Sequence, residues 1–279
     1  MSKFADLHIH TSCSDGTQTP EEVVAMAHDK GFSCIAIADH DTVDAIKPAI
    51  IAARAHDMEV IPAIELSTVT NKKDVHILGY LFDYEDEDFL KVVGDVQRSR
   101  TGRMHDMIER LNALGIDNIT FEEVSNFAET KSLGRPHLAK FLVEKGWVKS
   151  NQEAFDKYLA EGQPACVPKF NISTVDGIRA INKAGGIAVL AHPRASKVDE
   201  HIPKYVEAGL GGLEIYYPNT PRELIRHYEG LVKKHGLVAT GGSDAHGAAK
   251  KHTYIGRMKV DYIHVERLKK YHNEKYNNI

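Results

Sequence analysis

Nine residues with ligand chemistry stand where strand-like patterns end: His8, His10, Asp15, His40, Glu65, His76, His192, Asp244 and His246. One histidine at a strand end is more often a hydrogen-bonded structural residue than a ligand; the joint placement of nine carries the reading. Oxygen and nitrogen donors in this number, with no thiolate among them, exceed the needs of one ion. They suit two or three divalent cations, Mn2+ first and Zn2+, Fe2+ or Mg2+ next. The use of such a cluster is hydrolysis: metal ions lower the pKa of a bound water to about 7, hold oxyanions and stabilise an in-line displacement. Phosphate esters lead as substrates because they are anionic and need that neutralisation. Glu65 is the natural bridging carboxylate, and Asp6 and Asp39 are expected to orient ligand imidazoles from behind.

The elements that must position these groups read as alternating strands and helices. Phe4 through His10 reads as a strand in which Asp6, His8 and His10 share one face, because side chains alternate. The Thr-Ser-Cys-Ser-Asp-Gly turn after it returns Asp15 over the strand end. Thr19, Pro20 and Glu22 form a helix start with a reciprocal cap. Strands follow at 34–38, 59–64 and 74–80, with a helix at 43–55, and this alternation means parallel pairing. After a helical run, strands at 187–190, 212–216 and 237–240 alternate with helices at 174–184 and 222–234. About seven strands suggest an α/β barrel, in which functional groups gather at the strands' C-terminal ends.

Between about Glu87 and Lys169 helices dominate and no strand is expected. We read 87–169 as a helical insertion, a cap over the mouth of a barrel built from 1–86 and 170–279. Its arginines cluster: Arg98, Arg100 and Arg103 on one helix, and Arg135 with His137 opening another, where backbone amides favour an anion. Arg100, Arg103, Arg135 and His137 are the candidate phosphate-binding residues, while Arg98 reads as a solvated charge. Lys169, Phe170 and Asn171, where the insertion returns, are equally a hinge or a contact to sugar or base.

Composition narrows the class. The net charge of -4 advertises no general nucleic-acid binding, so any such contact must be local. Cys13, Cys34 and Cys166 make no C-x-x-C pair and suit a reducing cytoplasm. No targeting pattern and no membrane-length apolar run is seen, and no obligate protein partner is implied. Sixteen histidines are the unusual feature; His28, His56, His105, His227, His235, His252, His264 and His272 lie on helices or tails and read as solvated.

Asp6-Leu7-His8-Ile9-His10-Thr11 through Ser14-Asp15-Gly16, then Asp39-His40-Asp41-Thr42, Glu65, Ala191-His192-Pro193 and Ser243-Asp244-Ala245-His246, resemble the PHP family, the polymerase and histidinol phosphatase superfamily. All its motifs occur in order across residues 6–246. The resemblance implies a distorted (β/α)7 barrel and a trinuclear metal centre. It places His8, His10, Glu65 and Asp244 on one metal, Glu65, His76 and His192 on a second, and Asp15, His40 and His246 on a third. Asp15, His40, His192 and His246 are the candidate catalytic residues, with His192, His246 or a metal-bound water able to serve as general acid.

The helical insertion and the run Leu133–Ala139 look like the small stand-alone members that are 3',5'-nucleoside bisphosphate phosphatases or 5'-3' exoribonucleases. The implied reaction is attack on phosphorus by a metal-bound hydroxide, on a nucleoside 3',5'-bisphosphate or a short 5'-phosphorylated RNA. Two alternatives stand beside it: a phosphatase for a metabolite such as histidinol phosphate, and a non-catalytic metal-binding scaffold.

Overall fold

The computed structural model describes residues 3–128, 130, 132–168, 172–249 and 253–276. Strand β1 (Phe4–Ile9), helix α1 (Pro20–Asp29), β2 (Cys34–Ile37), α2 (Ile46–Ala53) and β3 (Glu59–Thr70) follow the alternating pattern. β1, β2 and β3 pair in parallel. Thr19 caps α1 as its type requires: its hydroxyl accepts from the Glu22 N–H at 3.2 Å, and Glu22 Oε2 accepts from the Thr19 N–H at 2.9 Å.

The alternation then breaks. β4 (Lys73–Tyr80) runs antiparallel to β3, in register from Ala63↔Tyr80 to Thr70↔Lys73. Asn71 and Lys72, at φ 49° and 67°, are the two left-handed residues of a tight hairpin. A two-residue link cannot hold a crossover, so the parallel expectation fails here and β3 continues past Glu65 to Thr70. An Asn-Lys turn lacks the glycine that usually announces such a hairpin.

Next come α3 (Glu87–Ala113), α4 (Phe121–Ala128), α5 (Arg135–Glu144) and α6 (Asn151–Ala154), which runs into a π-helical turn at Phe155–Leu159. No strand occurs among the described residues of this run. It has a hydrophobic cluster drawn wholly from its own residues, with Met104, Met107, Leu111, Leu138, Phe141 and Leu142 at the centre.

α7 (Thr174–Lys183), β5 (Ile187–Leu190), α8 (Pro193–Ser196), α9 (Ile202–Glu207), β6 (Gly212–Tyr216), α10 (Arg222–His235), β7 (Val238–Gly241), β8 (Val260–Asp261) and α11 (Ile263–Tyr276) complete the chain. The sheet order is β7-β6-β5-β4-β3-β2-β1-β8. β8, unanticipated because it is two residues long, pairs with the start of β1 at Phe4 and Ala5. The chain beyond β7 covers the other end: the Asp244 N–H donates to His8 O at 2.8 Å, and the His10 N–H to Ala245 O at 2.9 Å. The barrel is thereby nearly closed. Gly242 permits that approach, since a Cβ there would lie 2.4 Å from the His8 nitrogen.

Strand alternation sorts the core. Ile64, Leu66, Ile77, Leu190, Leu213 and Ile215 pack with the helices, while Ala36, Ile61, Ala63, Leu78, Tyr80 and Val189 form a separate cluster. His40, Glu65 and His76 continue the second face along their own strands, so one parity both fills the barrel and arms its mouth.

Candidate metal centre and the arginine pocket

Three groups of side chains converge closely enough to share a cation: His8, His10, Glu65 and Asp244; His10, Asp15, His40 and His246; and His40, Glu65 and His76. Glu65 is the hub. Its Oε2 lies 3.2 Å from His8 Nε2, 3.1 Å from His10 Nε2 and 3.3 Å from His40 Nδ1. Its Oε1 lies 2.8 Å from His76 Nδ1 and 2.9 Å from His192 Nε2. All nine sequence-derived candidates are therefore gathered at one mouth. His10 stands between two groups, and His192 reaches the cluster through Glu65.

These contacts are not a satisfied hydrogen-bond network. His10 Nδ1, Asp15 Oδ1, His40 Nδ1, His192 Nδ1 and His246 Nε2 are buried without a hydrogen-bond partner among the described residues. His8 Nε2 and His10 Nε2 face each other at 3.1 Å, and at most one of them can offer a proton in that contact. Buried polar atoms left so cost free energy unless something else binds them, and cations between the lone pairs do so. The donor set fits divalent metal ions.

The electrostatics agree. Burial opposes charge on Glu65 and Asp15, yet His40 and its neighbours hold both carboxyls well below the usual range. Burial pushes His40 and His246 down from the ordinary imidazole value. His10 is pushed up to about 9 against its burial by Asp244 and Glu65. Its proton and a cation compete for the same nitrogen, so metal binding would release protons.

The buttressing differs from expectation. Asp39 accepts from the Thr11 N–H at 2.7 Å and from the Thr11 and Ser14 hydroxyls, and Asp6 accepts from the Ser243 N–H at 2.8 Å. Both brace the loops that carry Asp15 and Asp244 and neither bonds a ligand imidazole. That task falls to Glu214, which the sequence reading missed. Its Oε1 lies 2.9 Å from His8 Nδ1, and its Oε2 accepts from the His192 N–H at 2.8 Å. A carboxylate between Leu213 and Ile215 in an otherwise apolar strand was the available signal. Asp41, His192 and Asp244 all have positive φ, a concentration of left-handed backbone at the mouth. His264, read as solvated, is instead buried, with Nδ1 3.1 Å from Ala239 O.

A pocket of about 350 Å3 joins this mouth to the helical run. Asp15, His40, His76 and His192 line it together with Arg100, Arg103 and Arg135, and Asp74 beside Arg135 at 3.7 Å. Arg100 donates to Asp41, to Ser67 Oγ at 3.1 Å and to Leu133 O at 3.1 Å. Arg103 donates to Val167 O at 2.7 Å and Arg135 to Leu159 O at 3.3 Å. His137 turns away from substrate space: Nδ1 accepts from the Gly134 N–H at 3.0 Å, and Nε2 donates to Ser14 O at 3.1 Å. Both ring nitrogens are thus engaged with the protein, and burial pushes the group down to about 4. Arg98 is exposed and paired with Asp95. Lys169, Phe170 and Asn171 lie outside the described residues.

Comparison with known proteins settles the family. The PHP domain model matches residues 6–273. The chain belongs to the PHP family. The 5'-3' exoribonuclease Rnm of Escherichia coli is 33% identical over 86% of this chain and 84% of its own. The 3',5'-nucleoside bisphosphate phosphatase of Chromobacterium violaceum is 29% identical over 91% of each. A candidate metal-dependent phosphoesterase from Bifidobacterium adolescentis superposes with a TM-score of 0.87, at 30% identity and 96% coverage of both chains. This PHP protein is a hydrolase of phosphoester bonds, and its His/Asp/Glu cluster is able to bind metal. No helix among the described residues is long and apolar enough to cross a membrane.

Proposed function

We propose that this PHP enzyme removes the 3'-phosphate of a nucleoside 3',5'-bisphosphate, or cleaves the corresponding bond in short 5'-phosphorylated RNA. The observation that carries the reading is the shared pocket, lined both by Asp15, His40, His76 and His192 and by three arginines. A monophosphate substrate has no use for the second set. A bisphosphate uses both, with the 5'-phosphate on the arginines and the 3'-phosphate at the carboxylate and imidazole donors. The relatives named for bisphosphates and for RNA support the same class.

The nine donors would hold two or three divalent ions, Mn2+ first, in the three groups described. When bound, these ions supply an activated water and neutralise the phosphate oxygens. The chain's own residues do the rest. Glu65 ties five imidazoles together, Glu214 fixes His8 and the backbone of His192, and Asp39 holds the Asp15 loop. Arg103 and Arg135 orient the distal phosphate, with Arg100 locking Asp41 beneath it. The insertion 87–169 acts as a cap that brings these arginines to the barrel. The unpaired cysteines Cys13, Cys34 and Cys166 support a reducing, cytoplasmic setting.

The test is phosphate release with Mn2+ from adenosine 3',5'-bisphosphate against 3'-AMP and 5'-AMP. Marked preference for the bisphosphate is expected. Equal rates on all three would remove the clamp and return the search to small metabolite phosphates.

A further inference from the structure

A second pocket, of about 370 Å3, opens on the other side of His192. His192 and Ala195 line both pockets, so the two meet at the candidate metal centre. Their chemistry differs. Pro193, Ile215, Tyr217, Pro218 and Tyr228 give the second pocket apolar and aromatic walls. The Tyr217 hydroxyl donates to Asp244 Oδ2 at 2.8 Å, which ties that wall to the metal-type donors. Thr253 also lines it, with a buried hydroxyl that has no hydrogen-bond partner among the described residues. At the rim, exposed Arg194 donates to Asn219 O at 2.6 Å, and Arg257 to Asn219 Oδ1 at 2.8 Å. Flat apolar walls, one unmatched hydroxyl and a basic rim match a nucleoside followed by a phosphodiester.

We propose that this pocket receives the second nucleoside of a 5'-phosphorylated RNA, the one joined to the hydrolysed phosphate through its 5' oxygen. The inference rests on the proposed function above and adds to its RNA arm the subsite that receives the second nucleoside. One bond change serves both substrates. The oxygen of water bonds to phosphorus, the bond from phosphorus to the 3' oxygen breaks, and a proton from that water ends on the 3' oxygen. A bisphosphate yields a nucleoside 5'-phosphate and inorganic phosphate. RNA yields the same nucleotide and a shorter chain that again carries a 5'-phosphate, ready for the arginine wall. The second pocket therefore decides only whether the phosphorus can carry another nucleoside.

The experiment compares adenosine 3',5'-bisphosphate with the 5'-phosphorylated dinucleotide pApA, both with Mn2+. Wild type should turn over both. Thr220 also lines the second pocket, and Thr220→Trp, which places an indole there, should lower kcat/KM for pApA about tenfold or more, the size of a lost base-stacking contact. It should leave the bisphosphate unchanged. Independently of any variant, a pApA analogue lacking the second base should lose about as much in wild type, again roughly tenfold. Equal losses on both substrates, no loss on either, or full activity on the abasic analogue would overturn the assignment. Wild-type turnover of the bisphosphate alone would overturn this inference and spare the arginine clamp. Turnover of neither would remove the clamp itself, and the inference with it.

Discussion

The barrel mouth and the helical run handle their polar side chains in opposite ways. At the mouth, imidazoles and carboxylates are buried against one another with ring nitrogens left over. In the helical run the arginines and His137 are tied to backbone carbonyls, to Ser67, and to the carboxylates of Asp41 and Asp74. The mouth is poised to bind something that supplies positive charge, and the helices are poised to hold something that brings negative charge. A phosphoester bound with metal ions satisfies both.

The largest test of this contrast is at the mouth. Asp15→Ala and Glu65→Gln should each abolish measurable phosphate release while circular dichroism stays unchanged, with metal content lowered. Wild-type turnover in either would detach the donor cluster from the chemistry. Chelation should act on stability as well: a metal at a hundredfold excess over its Kd adds about 2.7 kcal/mol, so EDTA should lower Tm by roughly 5 °C. An unchanged Tm would mean that the mouth holds no ion of consequence.

Glu214→Gln probes the buttress, with an expected loss of about 10- to 100-fold in activity or metal affinity, as for other carboxylates behind a ligand histidine. A neutral result would mean that His8 is positioned without it. On the helical side, Arg135→Ala should raise KM for the bisphosphate about tenfold, the worth of one charged hydrogen bond, with kcat little changed. A fall in kcat at constant KM would move Arg135 from holding the distal phosphate to stabilising the transition state. The smallest effect is reserved for Arg98→Ala, which should alter neither rate nor stability, since its exposed pair with Asp95 contributes little.

The sequence was most legible where one residue type answers to one physical demand. Thr19 and Glu22 announced their helix start, and the alternation of Asp6, His8 and His10 placed three polar groups on one face. The nine candidates could be picked out because histidine and carboxylate at a strand end have few competing explanations when they recur, and the structure brings them to one mouth. What escaped depended on partners distant in sequence. Glu214 reveals its task only through His8, 206 positions away. His137 looked like an anion ligand until Gly134 and Ser14 claimed its two nitrogens. The β3–β4 hairpin was hidden by a turn that reaches left-handed conformations without glycine. β8 exists only because the start of β1 offers it an edge.

The loop that presents Asp15 is fastened from outside the barrel. Thr130 donates its hydroxyl to Cys13 O at 2.7 Å, and His137 donates to Ser14 O at 3.1 Å, both from the helical run. Arg100 grips Asp41 in the same manner beside His40. Helices and barrel are therefore not interchangeable modules. A chimera that grafted this run onto another PHP barrel, or a lineage that shed it, would inherit all nine donors and lose the fasteners of two of the loops that aim them.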